Sequence, residues 1–137
     1  MDRIELRAIG RVVSPLTDPG SAPRQGDEGA PPATIAIDSD YLAGLHGVEA
    51  GDALIVLTWL DRADREVLSV HPRGDPAREP RGVFATRSPD RPNPIGLHRV
   101  EVEAIEGGTI RVRDLEAVDG TPVLDLKPVL SADVGER

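Results

Sequence analysis

A chain of 137 residues has room for one domain of ordinary size, with a core large enough to fold without staples. With 0 Cys, disulfides, thiolate metal ligands and thiol nucleophiles are excluded. The 16 Lys+Arg against 24 Asp+Glu leave a formal net charge of -8, which excludes indiscriminate attraction to polyphosphate or anionic lipid as the mode of binding. Met1 leads into Asp2 and Glu5 without an apolar run, so neither a signal peptide nor a membrane span is expected and the expected location is cytoplasmic.

In chain order, Ile4-Glu5-Leu6-Arg7-Ala8-Ile9 alternates apolar with charged residues and predicts a first strand. Residues 14–32 hold five prolines (Pro15, Pro19, Pro23, Pro31, Pro32) and predict a long loop. Asp38 to Leu45 is the one helical stretch, with an acidic or hydroxyl N-cap and Gly44 near its end. The continuous apolar run Ala53 to Leu60 predicts a central strand, and Glu66 to Val70 and Val83 to Thr86 are shorter candidates. Val100 to Ile105 and Thr109 to Arg113 alternate again, with Gly107-Gly108 between them as a hairpin turn. Asp119-Gly120-Thr121-Pro122 reads as a turn into a last strand from Val123 to Leu126, which strict alternation would arrange with Asp125 opposite Leu124 and Leu126. Six to eight short strands, one short helix and 14 Gly with 13 Pro cutting the chain predict an all-β barrel with long Pro-rich loops.

Chemistry concentrates in two places. Arg87-Ser88-Pro89-Asp90-Arg91-Pro92-Asn93-Pro94-Ile95-Gly96 carries three fixed-φ residues that rule out a regular ladder, so it is a stiff loop able to present Arg87, Ser88, Arg91 and Asn93 in set directions. Seven arginines (Arg62, Arg65, Arg73, Arg78, Arg81, Arg87, Arg91) fall in this part of an otherwise acidic chain, and only Lys127 among the 16 basic residues is a lysine. Guanidinium forks suit phosphate and carboxylate, so a local basic surface is expected. His46, His71 and His98 lack ligand spacing, and no metal is expected. Gly-rich phosphate loops, dinucleotide fingerprints and a Ser-His-Asp order are absent.

Taken together, Gly82-Val83-Phe84-Ala85-Thr86-Arg87-Ser88-Pro89, Arg91-Pro92-Asn93-Pro94-Ile95-Gly96-Leu97 and Asp119 to Pro128 resemble the signature of the TsaA-like (TrmO) family. Ile9-Gly10, Ser14-Pro15, Pro23-Arg24-Gln25 and His71-Pro72-Arg73 fit the same pattern in order. The resemblance implies a small β-barrel methyltransferase that binds S-adenosylmethionine and works as a homodimer. It further implies N6-methylation of a threonylcarbamoyl-modified adenosine in the tRNA anticodon loop. Carried over by motif, the cofactor-binding candidates are Pro23, Arg24, Gln25, His71, Arg73, Arg87, Ser88, Asp119, Thr121 and Leu124. Asp119, Asn93 and Asp125 are the candidate acceptors that would raise electron density on the attacking nitrogen. Full-length bacterial relatives carry a small C-terminal tRNA-holding domain, whereas a single domain over residues 1–137 is expected here, with Val129 where an aromatic residue is common. Methylation of a small molecule and a non-catalytic cofactor-binding module are the alternatives.

Overall fold

The computed structural model describes residues 3–17 and 32–130. Among them are β1 (Gly10–Val13), β2 (Ala33–Ile37), β3 (Ala53–Trp59), β4 (Ser69–Val70), β5 (Arg81–Gly82), β6 (Ile95–Glu106), β7 (Thr109–Arg113) and β8 (Pro122–Pro128). Six of these close an antiparallel barrel in the order β1-β2-β7-β6-β3-β8, with β8 pairing back onto β1. The short strands β4 and β5 pair only with each other and form an arm outside the barrel.

Alternation explains the closure. Along β6 up to Val102 the even-numbered residues Gly96, His98, Val100 and Val102 are buried while Ile95, Leu97, Arg99 and Glu101 face out. Ile110 and Val112 of β7, Ile35 of β2, Val12 of β1 and Val56 of β3 meet them inside. Apart from Leu54, Leu115, Ala33 and Ala117, this core is made of β-branched residues, whose stiff side chains pack well on a pleated surface. Burial of each contributes roughly 1.5–3 kcal/mol relative to exposure. Aromatic residues add little, since Phe84 is 84% exposed on the arm.

Two bulges let the sheet curve. One lies between Val102 and Ala104, where β6 carries an extra residue against β7; the other gives β8 the extra residue Leu124 against Leu57 and Thr58 of β3. The second bulge corrects the alternation expected for the last strand. Val123 is fully buried and Leu126, three residues later, packs on the core, so Leu124 and Asp125 fall between them on the outside.

Three further expectations are corrected. Residues 4–9 are not a strand: Ile4 and Leu6 are exposed, and the slot between β2 and β8 is taken by Gly10–Val13, with Ile9 bridging through bonds to Val123 O and from Asp38 N. The expected helix forms as a 3-10 segment, Ser39–Leu45, behind an extended Asp38 that makes no side-chain cap. No residue in it is buried, so packing does not extend it into an α-helix. Of the two short strand candidates, Glu66 to Val70 contracts to Ser69–Val70 and Val83 to Thr86 becomes a 3-10 turn, Val83–Ala85, after β5. The Gly107-Gly108 hairpin joins β6 to β7 as expected.

Candidate functional site

Strand registers place three connections at one end of the barrel. Val13 of β1 and Thr34 of β2 pair there, as do Trp59 of β3 and Ile95 of β6, and β7 ends and β8 begins at the same level. The connections are 14–32, 60–94 and 114–121. Among the described residues, they contain every candidate site residue except Leu124 and Asp125. A broad open groove of about 1780 Å³ runs across this end and round the outer wall of β6.

His71, Arg73, Arg87, Ser88, Asn93 and Thr121 all border that broad groove. His71 is pinned by a 2.8 Å bond between Nδ1 and Arg78 O, and Arg73 takes a left-handed backbone, φ 57. Thr121 is buried and donates its hydroxyl to Val118 O at 2.7 Å, which closes the turn. Gly120 has φ +82, the conformation the turn reading required of it. Pro23, Arg24 and Gln25 lie outside the described residues.

The three candidate acceptors do not converge. Asn93 lines the groove and accepts from Arg65 Nη2 at 3.1 Å, while Arg65 also donates to Pro92 O and stacks 5.1 Å from the Trp59 ring centroid. Asp119 is exposed, is not among the groove's lining residues, and accepts the Ser14 N–H at 3.1 Å while its own N–H goes to Leu16 O. It fastens the chain after β1 to the 114–121 connection. Asp125 borders a separate small hollow beside Tyr41 and Leu45, bonded to the Leu126 N–H and 3.2 Å from Lys127 Nζ.

The expected basic surface is sorted in the same way. Arg91 turns its guanidinium onto its own loop, donating to Val83 O, Thr86 O and Ser88 O at 2.8, 3.1 and 2.8 Å. Arg62 reaches Thr17 O. Arg65, Arg91 and Arg62 therefore stiffen the loops, whereas Arg78, Arg81 and Arg87 stand exposed along the groove.

One constellation was not read from the sequence. His98, 5% exposed, points into the barrel end with Nε2 2.7 Å from Thr58 Oγ1 and Nδ1 2.5 Å from Glu116 Oε1. Glu116 keeps 16% of its side-chain surface and lines the groove. Forty residues separate Thr58 from His98, so only the β3–β6 pairing brings them together. The available signal was the even-numbered series Gly96, His98, Val100 in an alternating strand, which places a histidine inside.

The family model of the tRNA-methyltransferase O N-terminal domain matches residues 11–133. The chain belongs to that family. A relative from Archaeoglobus fulgidus, an S-adenosyl-L-methionine-binding protein, is 48% identical over 122 residues, covering 89% of this chain and 86% of its own. A probable S-adenosyl-L-methionine-binding protein of Methanothermobacter thermautotrophicus is 47% identical over 126 residues, covering 91% and 89%. The crystal structure of TrmO from Pseudomonas aeruginosa superposes with a TM-score of 0.74 at 28% identity, covering 94% of this chain and 57% of that one. The all-β barrel expected from the sequence is thus the TrmO barrel, and the chain spans a little over half the length of that solved structure.

Proposed function

We propose that the chain binds S-adenosylmethionine in the groove at the loop end of the barrel and transfers its methyl group to tRNA, working as a homodimer. The observation that carries this reading is the meeting of His71, Arg73, Arg87, Ser88, Asn93 and Thr121 on one groove in a member of the TrmO family. The donor set fits the cofactor. Guanidinium groups such as Arg87 suit its carboxylate, Asp61 and Asp90 on the groove suit its ammonium and sulfonium charges, and Leu57, Ile95 and Leu97 offer apolar wall for an adenine. When bound, the cofactor supplies an electrophilic methyl. The protein supplies position: holding nucleophile and methyl within about 3–3.5 Å accounts for much of the rate in an in-line displacement.

Arg78, Arg81 and Arg87 would meet the RNA backbone despite the net charge of -8. The specific acceptor is N6 of a threonylcarbamoyl-modified adenosine, whose lone pair is amide-like and needs a proton acceptor. A second copy of the chain would cover Ile95, Leu97 and Phe84, which are 43, 41 and 84% exposed on or beside the groove. The binding-protein names of the archaeal relatives favour one rival, a module that holds the cofactor without turnover. Calorimetric titration with S-adenosylmethionine in chelator, followed by transfer of labelled methyl to bulk tRNA, separates them. Saturable binding with transfer supports the proposal, binding without transfer supports the module, and no binding at millimolar ligand removes both.

A further inference from the structure

We propose that Glu116, oriented by His98, is the carboxylate that takes the proton from the attacking nitrogen of the methyl acceptor. This rests on the methyl-transfer reading above and names the acid–base group within it.

The placement comes from the backbone. Leu115 and Ala117, 0 and 5% exposed, anchor the connection on the barrel core, and Glu116 between them reaches the inward-pointing His98 while lining the groove that Asn93 and Thr121 also line. A carboxylate with only 16% of its side-chain surface exposed is costly at such a position unless hydrogen bonds hold it. The bond is supplied by His98: a carboxylate only accepts, so Nδ1–H donates to Glu116 Oε1 at 2.5 Å. In the neutral ring Nε2 then accepts the Thr58 hydroxyl hydrogen. Thr58 is fully buried, which rules it out as a nucleophile and makes the chain of bonds a dead end on the inner side. A proton reaching Glu116 leaves only by the groove.

The competing carboxylates are engaged elsewhere or unoriented. Asp119 is spent on the Ser14 N–H, Asp90 on the Asp64 N–H and Glu101 on Arg113, Asp125 lies on another hollow, and Asp61 and Asp114, although on the groove, stand exposed, Asp114 at a backbone corner with φ 71. In the step, the acceptor's N–H bond breaks and its proton forms an O–H bond on Glu116. The electron pair left on nitrogen forms the new N–C bond as the methyl carbon's bond to sulfur breaks, that pair staying on sulfur. Glu116 then releases the proton to groove water, so one proton is lost per methyl transferred. His98 and Thr58 act as positioning residues.

The test uses the full chain, bulk tRNA as acceptor and S-adenosylhomocysteine as the binding probe. Glu116→Gln keeps shape and the oxygen facing His98 while removing the basic carboxylate. It should lower kcat about 100-fold, the usual range for losing a general base, with KM and probe affinity within about twofold of wild type. Glu116→Asp should recover part of the rate, and Asp114→Asn should keep it. ¹⁵N spectra of the wild-type protein without ligand should show His98 protonated at Nδ1. Full kcat in Glu116→Gln, or kcat and probe affinity falling together, overturns the assignment. If Glu116→Gln does not fold, a folded Glu116→Asp at wild-type kcat overturns it equally. A wild-type protein that transfers no methyl defeats the methyl-transfer reading itself, whereas active wild type beside an equally active Glu116→Gln defeats only the role of Glu116.

Discussion

Gly96 and His98 share the inner face of β6, and a Cβ on Gly96 would sit 2.7 Å from His98 Nε2 and press on Thr58 Oγ1. The glycine is what gives the imidazole its place against Thr58. Gly96→Ala should therefore push the ring off its bond and cost roughly 1–3 kcal/mol, the usual range for overpacking a tight core site. Urea unfolding measures it. A loss under about 0.5 kcal/mol, typical of a neutral surface change, would show that the barrel end yields without strain.

Arg91 satisfies three carbonyls of one loop with a planar fork, a geometry an ammonium group cannot copy. Arg91→Lys should loosen residues 83–91 while the barrel stays intact. Amide exchange is expected to speed up in that loop and stay unchanged in β6 and β7. Exchange rates in the loop equal to those of wild type would remove the staple role.

Asp119 accepts the Ser14 N–H with one carboxylate oxygen, a job an amide oxygen can do as well. Asp119→Asn should keep wild-type stability, and Asp119→Ala should lose about 1 kcal/mol, as for one hydrogen bond. Thermal unfolding of the pair distinguishes the two substitutions. Equal stability of all three proteins would mean that the bond between the 114–121 connection and the chain after β1 contributes nothing.

The barrel was legible where residues alternate and the neighbours are close in sequence. Val100 to Ile105, Gly107-Gly108 and Thr109 to Arg113 are local and pair as read, although β6 starts earlier, at Ile95 and Gly96, which the proline-rich motif is expected to keep out of a ladder, and the bulge at Glu103 breaks its alternation. Residues 4–9 alternate just as clearly, yet β8 and β2 take Gly10–Val13 instead, because strand pairing is decided by distant partners, for Gly10 both Ile37 and Val123. β1 and β2 were missed because neither Gly10–Val13 nor Ala33–Ile37 alternates apolar with charged residues as β7 does. The motif loops announced the groove, since prolines and arginines mark a stiff surface wherever they fall. The Thr58–His98–Glu116 constellation was hidden because its three members come from β3, β6 and a connection, joined only by closure of the barrel. The bulge at Leu124 left no trace in composition and moved Asp125 away from the place alternation gave it.

Leu97 and Ile95 stand outward on β6 at 41 and 43% exposure, opposite Leu57 and Trp59 of β3. If a second copy covers them, Leu97→Glu buries a charge at the contact and should shift the protein from dimer to monomer while the fold survives. Light scattering at micromolar concentration reads the mass. A wild-type mass near 14.6 kDa would contradict the dimer, as would a Leu97→Glu protein that stays dimeric.

The central claim is methyl transfer to tRNA from a cofactor held in the loop-end groove. It is tested most directly by incubating the protein with S-adenosylmethionine and bulk tRNA from cells lacking the modification, then weighing the digested nucleosides by mass spectrometry. The account predicts one new methyl group on a threonylcarbamoyl-modified adenosine, and none when Arg87→Ala removes a groove guanidinium. A protein that binds the cofactor yet leaves every tRNA nucleoside unchanged would contradict it.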